Sequence, residues 1–238
     1  MRKIIALNLK MNLNYEEAIN YVKTLSNEKL DKHEIIMLPS SIYLDLFKKS
    51  GFNVGAQNVH YEDKGAYTGE ISPLQLKTMG VSYALIGHSE RRIHFNEDDT
   101  LINNKIKGSL RNNLNIILCI GETEEEKNSN NTSYILEHQL ISDLKDIEDV
   151  ENIIIAYEPV WAIGSGKVPK NEEIEDSIKF IKGIVKREYN VEPKVLYGGS
   201  VNKENINAIL GIENVDGVLV GSASINPQYL ISMLDLVD

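Results

Sequence analysis

Cysteine occurs once in the 238 residues, at Cys119. No intrachain disulfide can form, and nothing in the cysteine pattern calls for an oxidising compartment. Tryptophan also occurs once, at Trp161. Positive charge is in short supply: 25 Lys and Arg against 35 Asp and Glu leave a formal net charge of −10. That balance excludes non-specific binding to nucleic acid and docking on an anionic membrane. An anionic ligand would need a local positive site inside an acidic protein. Long apolar runs are missing too, and none approaches the roughly 18 residues of a membrane span. Asn8 and Lys10 interrupt the apolar run at 4–7 too early for a signal peptide. The expectation is a cytoplasmic protein with no membrane and no nucleic-acid partner.

Familiar ligand motifs are absent as well. The first apolar run is followed by "NLKMN", which has no glycine and is therefore no dinucleotide-binding turn. Gly166-Lys167 precedes Val168 and lacks the upstream glycine of a P-loop. Gly-His-Ser-Glu-Arg at 87–91 lacks the last glycine of a nucleophile elbow. No histidine–carboxylate pair has a metal ligand's spacing. The expectation is no cofactor and no metal.

What the chain does contain is a repeated apolar pattern. Runs rich in Ile and Val lie at 4–7, 35–38, 53–56, 83–86, 116–120, 153–157, 195–197 and 217–220. Most show no clean alternation, as expected of parallel strands covered on both faces. Amphipathic segments lie between most of them. One runs over 172–186, with Ile174, Ile178, Ile181 and Val185 at helical spacing. Alternating strands and helices imply right-handed βαβ units, and eight of them in this length predict a closed (β/α)8 barrel. With no linker or low-complexity tract, one domain over 1–238 is predicted. The polar run at 122–133 reads as a loop or a frayed helix start.

In such a barrel the strand C-termini form the active face. Asn8 and Lys10 follow the first run, His88 the fourth, Glu158 the sixth, Gly198-Gly199-Ser200 the seventh and Gly221-Ser222 the eighth. A lysine, a histidine and a carboxylate thus surround one mouth. Glycine-containing turns lie on strands seven and eight, where barrels of this type hold phosphate. Singly, each group has a bland reading, as a solvated lysine or a half-exposed carboxylate. Together they suit proton abstraction beside the carbonyl of a small phosphorylated substrate.

Seven segments in order, "NLKMN", "GAYTGEISP", "IGHSERR", "CIGE", "AYEPVWAIGSGK", "YGGSV" and "GVLVGSAS", span nearly the whole chain. They closely resemble the triosephosphate isomerase family, which also serves as a standard case of pKa tuning. The resemblance implies Glu158 as the base moving a proton between C1 and C2, with His88 as the electrophile at the carbonyl. It implies Lys10 for the substrate's negative charge and Asn8 for its orientation. Gly164, Ser200, Gly221 and Ser222 would hold the phosphate through backbone N–H groups. Glu90 and Cys119 match positions beside the site. The stretch after Glu158 would be a lid, with a first hinge at Pro159-Val160-Trp161 and a tip at 162–166. A homodimer is implied, through the loop that opens at Gly65 and closes at Glu70, with Thr68 reaching towards the partner's mouth.

Some positions depart from the family's usual pattern. Leu9 replaces tryptophan, Tyr67 phenylalanine and Ser165 threonine. Ser222 replaces the second glycine of the phosphate turn, which works only if that residue avoids positive φ. Pro169 stands where the family's residue donates its N–H to the tyrosine at Tyr197, and proline has no N–H to give. Two other readings stay open: a barrel aldolase or epimerase acting on a sugar phosphate, and a binding barrel without chemistry.

Overall fold

The computed structural model describes residues 2–237, so Met1 and Asp238 of the expected domain fall outside the described residues. Eight parallel strands form one sheet: β1 (Ile4–Asn8), β2 (Glu34–Leu38), β3 (Gly55–Ala56), β4 (Tyr83–Ile86), β5 (Asn115–Ile120), β6 (Ile153–Tyr157), β7 (Val195–Tyr197) and β8 (Gly217–Val220). The order β2-β1-β8-β7-β6-β5-β4-β3 follows the chain around a ring. One parallel bridge, Met37 opposite Val54, brings β2 and β3 together, giving the expected barrel in nearly closed form. The third strand is shorter than the apolar run at 53–56 suggested, because Asn53 and Val54 serve the closure. The Asn53 carbonyl accepts the Met37 N–H at 2.8 Å.

The core has two compartments, and strand pleating sorts residues between them. Ile4 and Ala6, Ile117 and Cys119, and Ile154 and Ala156 point into the barrel. Their neighbours Ile5 and Leu7, Ile116 and Leu118, and Ile153 and Ile155 pack outward against the helices. The alternation is invisible in the sequence because both faces are covered and both sets are apolar. Extending the inward series by one more step reaches Asn8 on β1, Gly121 beyond β5, Glu158 beyond β6 and Gly221 beyond β8. The barrel interior thus delivers its last inward position on each of these strands to the mouth.

The helices are tied down locally. Asn14 and Glu17 form a capping box at Tyr15–Leu25, and Ser72 and Gln75 do so at Pro73–Met79. The amphipathic segment at 172–186 lies within the helix Asn171–Tyr189, with Ile174, Ile178, Ile181 and Val185 buried. The polar run at 122–133 is more ordered than its composition suggested. Thr123 and Glu126 form a capping box that starts a short helix, Glu124–Asn128, and a further helix begins at Thr132. No helix among the described residues is long and apolar enough to cross a membrane.

Candidate active site

A cavity of about 680 Å³ opens at the C-terminal end of the strands. Asn8, Lys10, His88, Glu158, Gly164, Ser200, Gly221 and Ser222 all line it. The strand ends therefore bring together every residue that the sequence places at the site. Thr68 and its loop do not line this cavity and lie exposed.

Asn8 is buried, and its Oδ1 accepts the Lys10 N–H at 3.1 Å. Lys10 takes φ of 50°, a left-handed conformation that costs a non-glycine residue about 1–3 kcal/mol. Its carbonyl is gripped twice, by Ser40 Oγ at 2.8 Å and Gln57 Nε2 at 2.9 Å. These contacts come from the loops after β2 and β3, and they hold the strained turn against relaxation. Lys10 Nζ then reaches Glu90 Oε1 at 2.5 Å, beside the cavity.

His88 links β4 to the helix Ser89–Phe95. Gly87 before it adopts φ of 73°, a turn that glycine accommodates without strain. The His88 ring is buried, with Nε2 3.1 Å from Glu158 Oε1. Nδ1 accepts the Glu90 N–H at 3.2 Å. Burial pushes the imidazole pKa down, the facing Glu158 carboxylate pushes it up, and the net direction is upward. The hydrogen bonds favour the neutral ring with its proton on Nε2. A proton on Nδ1 would set two donors against each other at 3.2 Å. The Glu90 N–H thus leaves Nε2, facing Glu158, as the nitrogen that carries the proton of the neutral ring.

Glu158 is 2% exposed, and both of its carboxylate oxygens are engaged. Oε1 faces His88, and Oε2 accepts the Ser89 N–H at 3.1 Å. Its own N–H donates to the Ile120 carbonyl at 2.7 Å, extending the β5–β6 ladder by one residue. Burial alone would raise its pKa, but His88, the Ser89 N–H and Lys10 hold it below the usual glutamate value. Space for this side chain is made by neighbours. A Cβ on Gly198 would lie 2.9 Å from Glu158 Cγ, and one on Gly121 would collide with the Glu158 carbonyl.

The segment after Glu158 makes a 3-10 turn, Val160–Ala162, and then two left-handed glycines, Gly164 at φ of 63° and Gly166 at 74°. Nothing lies within 4 Å of where either glycine would carry a Cβ, so both glycines stand clear of their surroundings. The 3-10 turn is held from three sides. Trp161 Nε1 donates to Glu122 Oε1 at 2.8 Å, Lys127 Nζ lies 3.6 Å from the centre of the Trp161 ring, and Ser200 Oγ donates to the Ala162 carbonyl at 2.5 Å. Beyond the tip, Lys167 pairs with Glu124. Ser222 is not among the residues with positive φ, so the backbone condition on its replacing a glycine is met.

Reading the sequence missed Ser40 and Gln57, which hold Lys10, and Lys127, which covers Trp161. None had a local signal, because each acts across the barrel mouth. Glu122, buried and pushed up in pKa by that burial, follows the fifth run together with Gly121, and the sequence reading places it at that strand end without giving it a role.

The family model described as triosephosphate isomerase matches residues 3–237. Among curated relatives, the triosephosphate isomerase of Clostridium botulinum (strain Loch Maree / Type A3) is 43% identical over 236 residues, covering 94% of this chain and 95% of the relative. That of Thermodesulfovibrio yellowstonii is 44% identical, covering 95% and 96%. That of Trichodesmium erythraeum is 42% identical, covering 96% of each. The match runs through every strand and every loop of the mouth, and the chain belongs to the triosephosphate isomerase family.

Proposed function

We propose that Glu158 is the base, and His88 the proton donor to the carbonyl, in the reaction this family carries out. That reaction is the interconversion of dihydroxyacetone phosphate and D-glyceraldehyde 3-phosphate. The observation that carries the assignment is the pairing of Glu158 Oε1 with His88 Nε2 at 3.1 Å, inside a cavity also lined by Lys10. A carboxylate held below its normal pKa is ionised at neutral pH and ready to accept a proton. The C–H electron pair moves into the enediolate, and the Nε2–H of neutral His88 donates to the oxygen that gains charge. Returning the proton to the neighbouring carbon completes the isomerisation without net change in redox state.

Lys10 supplies positive charge in a protein that has little to spare. Gly164, Ser200, Gly221 and Ser222 turn backbone N–H groups towards the phosphate. The segment from Pro159 to Gly166 closes over the substrate and keeps water from the enediolate, which would otherwise lose phosphate. A Schiff-base aldolase is disfavoured, because none of the eight strands contains a lysine. A coupled isomerase assay in both directions, run in D2O, tests the assignment. Deuterium should enter the substrate carbon with wild-type protein and not with Glu158→Gln.

The working unit is a homodimer. The loops after β1, β2 and β3 are joined by the Ser40 and Gln57 bonds to Lys10, and they present exposed apolar side chains: Met11 at 93%, Ile42 at 79% and Tyr67 at 41%. Apolar exposure of this kind on neighbouring loops suits a protein interface. Deleting the loop from Gly65 to Glu70 should give a folded monomer with most activity lost, as measured by sedimentation and assay. A fully active monomer would contradict the dimer.

A further inference from the structure

Arg92 lies outside the cavity, yet its guanidinium reaches backbone on both strands behind the His88–Glu158 pair. Nε donates to the Gly87 carbonyl at 2.9 Å. Nη2 donates to the Cys119 carbonyl at 3.3 Å and to Asp143 Oδ2 at 2.7 Å, while Nη1 donates to Asp99 Oδ1 at 2.5 Å. Asp143 is fully buried at the end of the helix Thr132–Asp143, and Asp99 is the first residue of the helix Asp99–Arg111. One planar cation therefore joins two helices to the ends of β4 and β5.

The two carbonyls are well placed to influence the site. The Gly87 carbonyl belongs to the peptide whose nitrogen is that of His88. The Cys119 carbonyl belongs to the peptide leading into Ile120, and the Ile120 carbonyl accepts the Glu158 N–H at 2.7 Å. The approach depends on the missing side chain at Gly87: a Cβ there would stand 3.2 Å from Arg92 Nη2 and 3.0 Å from the Cys119 carbonyl. A buried ion pair needs only charge and donors for its carboxylates. Asp99 and Asp143 supply the charge balance, whereas the carbonyl bonds add a fixed geometry that only a forked, planar donor can span.

We infer that Arg92 is a positioning residue for the isomerisation, fixing the Gly87 and Cys119 peptides and through them the separation of His88 from Glu158. The inference rests on Glu158 and His88 being the pair that moves the protons. It gives Arg92 no contact with substrate, so its effect should fall on turnover and not on binding.

The test compares Arg92→Lys, which keeps the charge and loses the fork, with Asp99→Asn, which leaves Arg92 and the buried Asp143 in place. Glu158→Gln runs alongside. Arg92→Lys should lower kcat by about tenfold to a hundredfold, the range expected for a small misplacement of reacting groups. KM and the affinity for a phosphate-bearing inhibitor should stay within about twofold of wild type, since the lining residues are untouched. The imidazole 15N and 1H resonances of His88 should shift in the same variant. Asp99→Asn should show a smaller fall in kcat with the same split, and it serves alone if Arg92→Lys does not fold. An unchanged kcat, an equal loss of binding and turnover, or an unmoved imidazole would overturn the inference for Arg92. Near-normal turnover in Glu158→Gln would instead remove the base assignment, and the inference with it.

Discussion

The Lys127 ammonium stands 3.6 Å from the centre of the Trp161 ring, while Trp161 Nε1 donates to Glu122 on the opposite side of the same loop. The turn that opens the proposed lid is therefore held by the short helix that follows β5. Any movement of Trp161 on closing of the proposed lid has to break this contact. A partly exposed cation–π contact contributes about 0.5–1 kcal/mol, or roughly twofold to fivefold in the open–closed balance. Lys127→Met should tighten binding of a phosphate-bearing inhibitor by that factor and change the emission of Trp161, the sole tryptophan. Identical emission and affinity would show that the clamp has no bearing on closure.

Glu158→Gln keeps the size of the base and removes its ability to take a proton. Turnover should fall by several orders of magnitude while inhibitor binding survives. The same residue sets a pH expectation. The proposed base has to work as a carboxylate, and its folded-state pKa lies below the usual glutamate value. The carboxylate should therefore stay ionised through the ordinary glutamate range. The acid limb of the wild-type profile should come earlier, as pH falls through the raised pKa of His88, whose neutral form the proposed mechanism needs. In His88→Gln no histidine remains to be protonated and burial is left to act on Glu158, so the acid limb of the residual activity should belong to the carboxylate and report a pKa above its wild-type, depressed value. A residual limb still below the usual glutamate value, measured as kcat/KM against pH, would mean His88 does not depress the carboxylate.

Lys10→Met removes the cavity-lining ammonium and leaves the left-handed backbone, with its Ser40 and Gln57 bonds, in place. Binding of substrate and of inorganic phosphate analogues should weaken, and the difference from wild type should shrink at high salt. Isothermal titration at two ionic strengths measures it. Equal affinity of the two proteins at both strengths would return Lys10 to an ordinary surface lysine.

Tyr197 is fully buried and its hydroxyl has no hydrogen-bond partner among the described residues. A Cβ on Gly199 would collide with that hydroxyl, so the glycine is what leaves room for it. The family's partner for this hydroxyl is a backbone N–H at the position of Pro169, which has none. Removing an unpaired buried hydroxyl costs little and can relieve up to about 1–3 kcal/mol of unmet hydrogen bonding. Tyr197→Phe should keep turnover within about twofold of wild type, since no latch bond is lost, and leave Tm unchanged or higher. Pro169→Ala should make turnover sensitive to the same substitution. A large loss from Tyr197→Phe alone would show that the hydroxyl has another partner on closing.

The sequence by itself carried the strands, their order and the groups at the mouth. The reason is periodic: Ile4, Ala6 and Asn8, or Ile154, Ala156 and Glu158, are steps of one inward series, so the polar residue ending a run must meet the others once the sheet curls. Strand-end chemistry is legible because position along the chain and position in the fold coincide there. What surrounds those groups was decided by closure. Lys10 is held left-handed by Ser40 and Gln57, 30 and 47 residues further on, and those contacts exist only because β1, β2 and β3 are brought side by side. The polar stretch after Gly121 reads as a loose connection, since apart from Glu126, which caps locally with Thr123, its charges have no evident partners nearby in sequence. In the barrel Glu122 and Lys127 meet Trp161, and Glu124 meets Lys167. Arg92 is the same case: one more charge on a short helix until Asp99, Asp143 and two strand-end carbonyls converge on it. A single charged side chain has no periodicity to read, and its partners are chosen by the packing of elements distant in sequence.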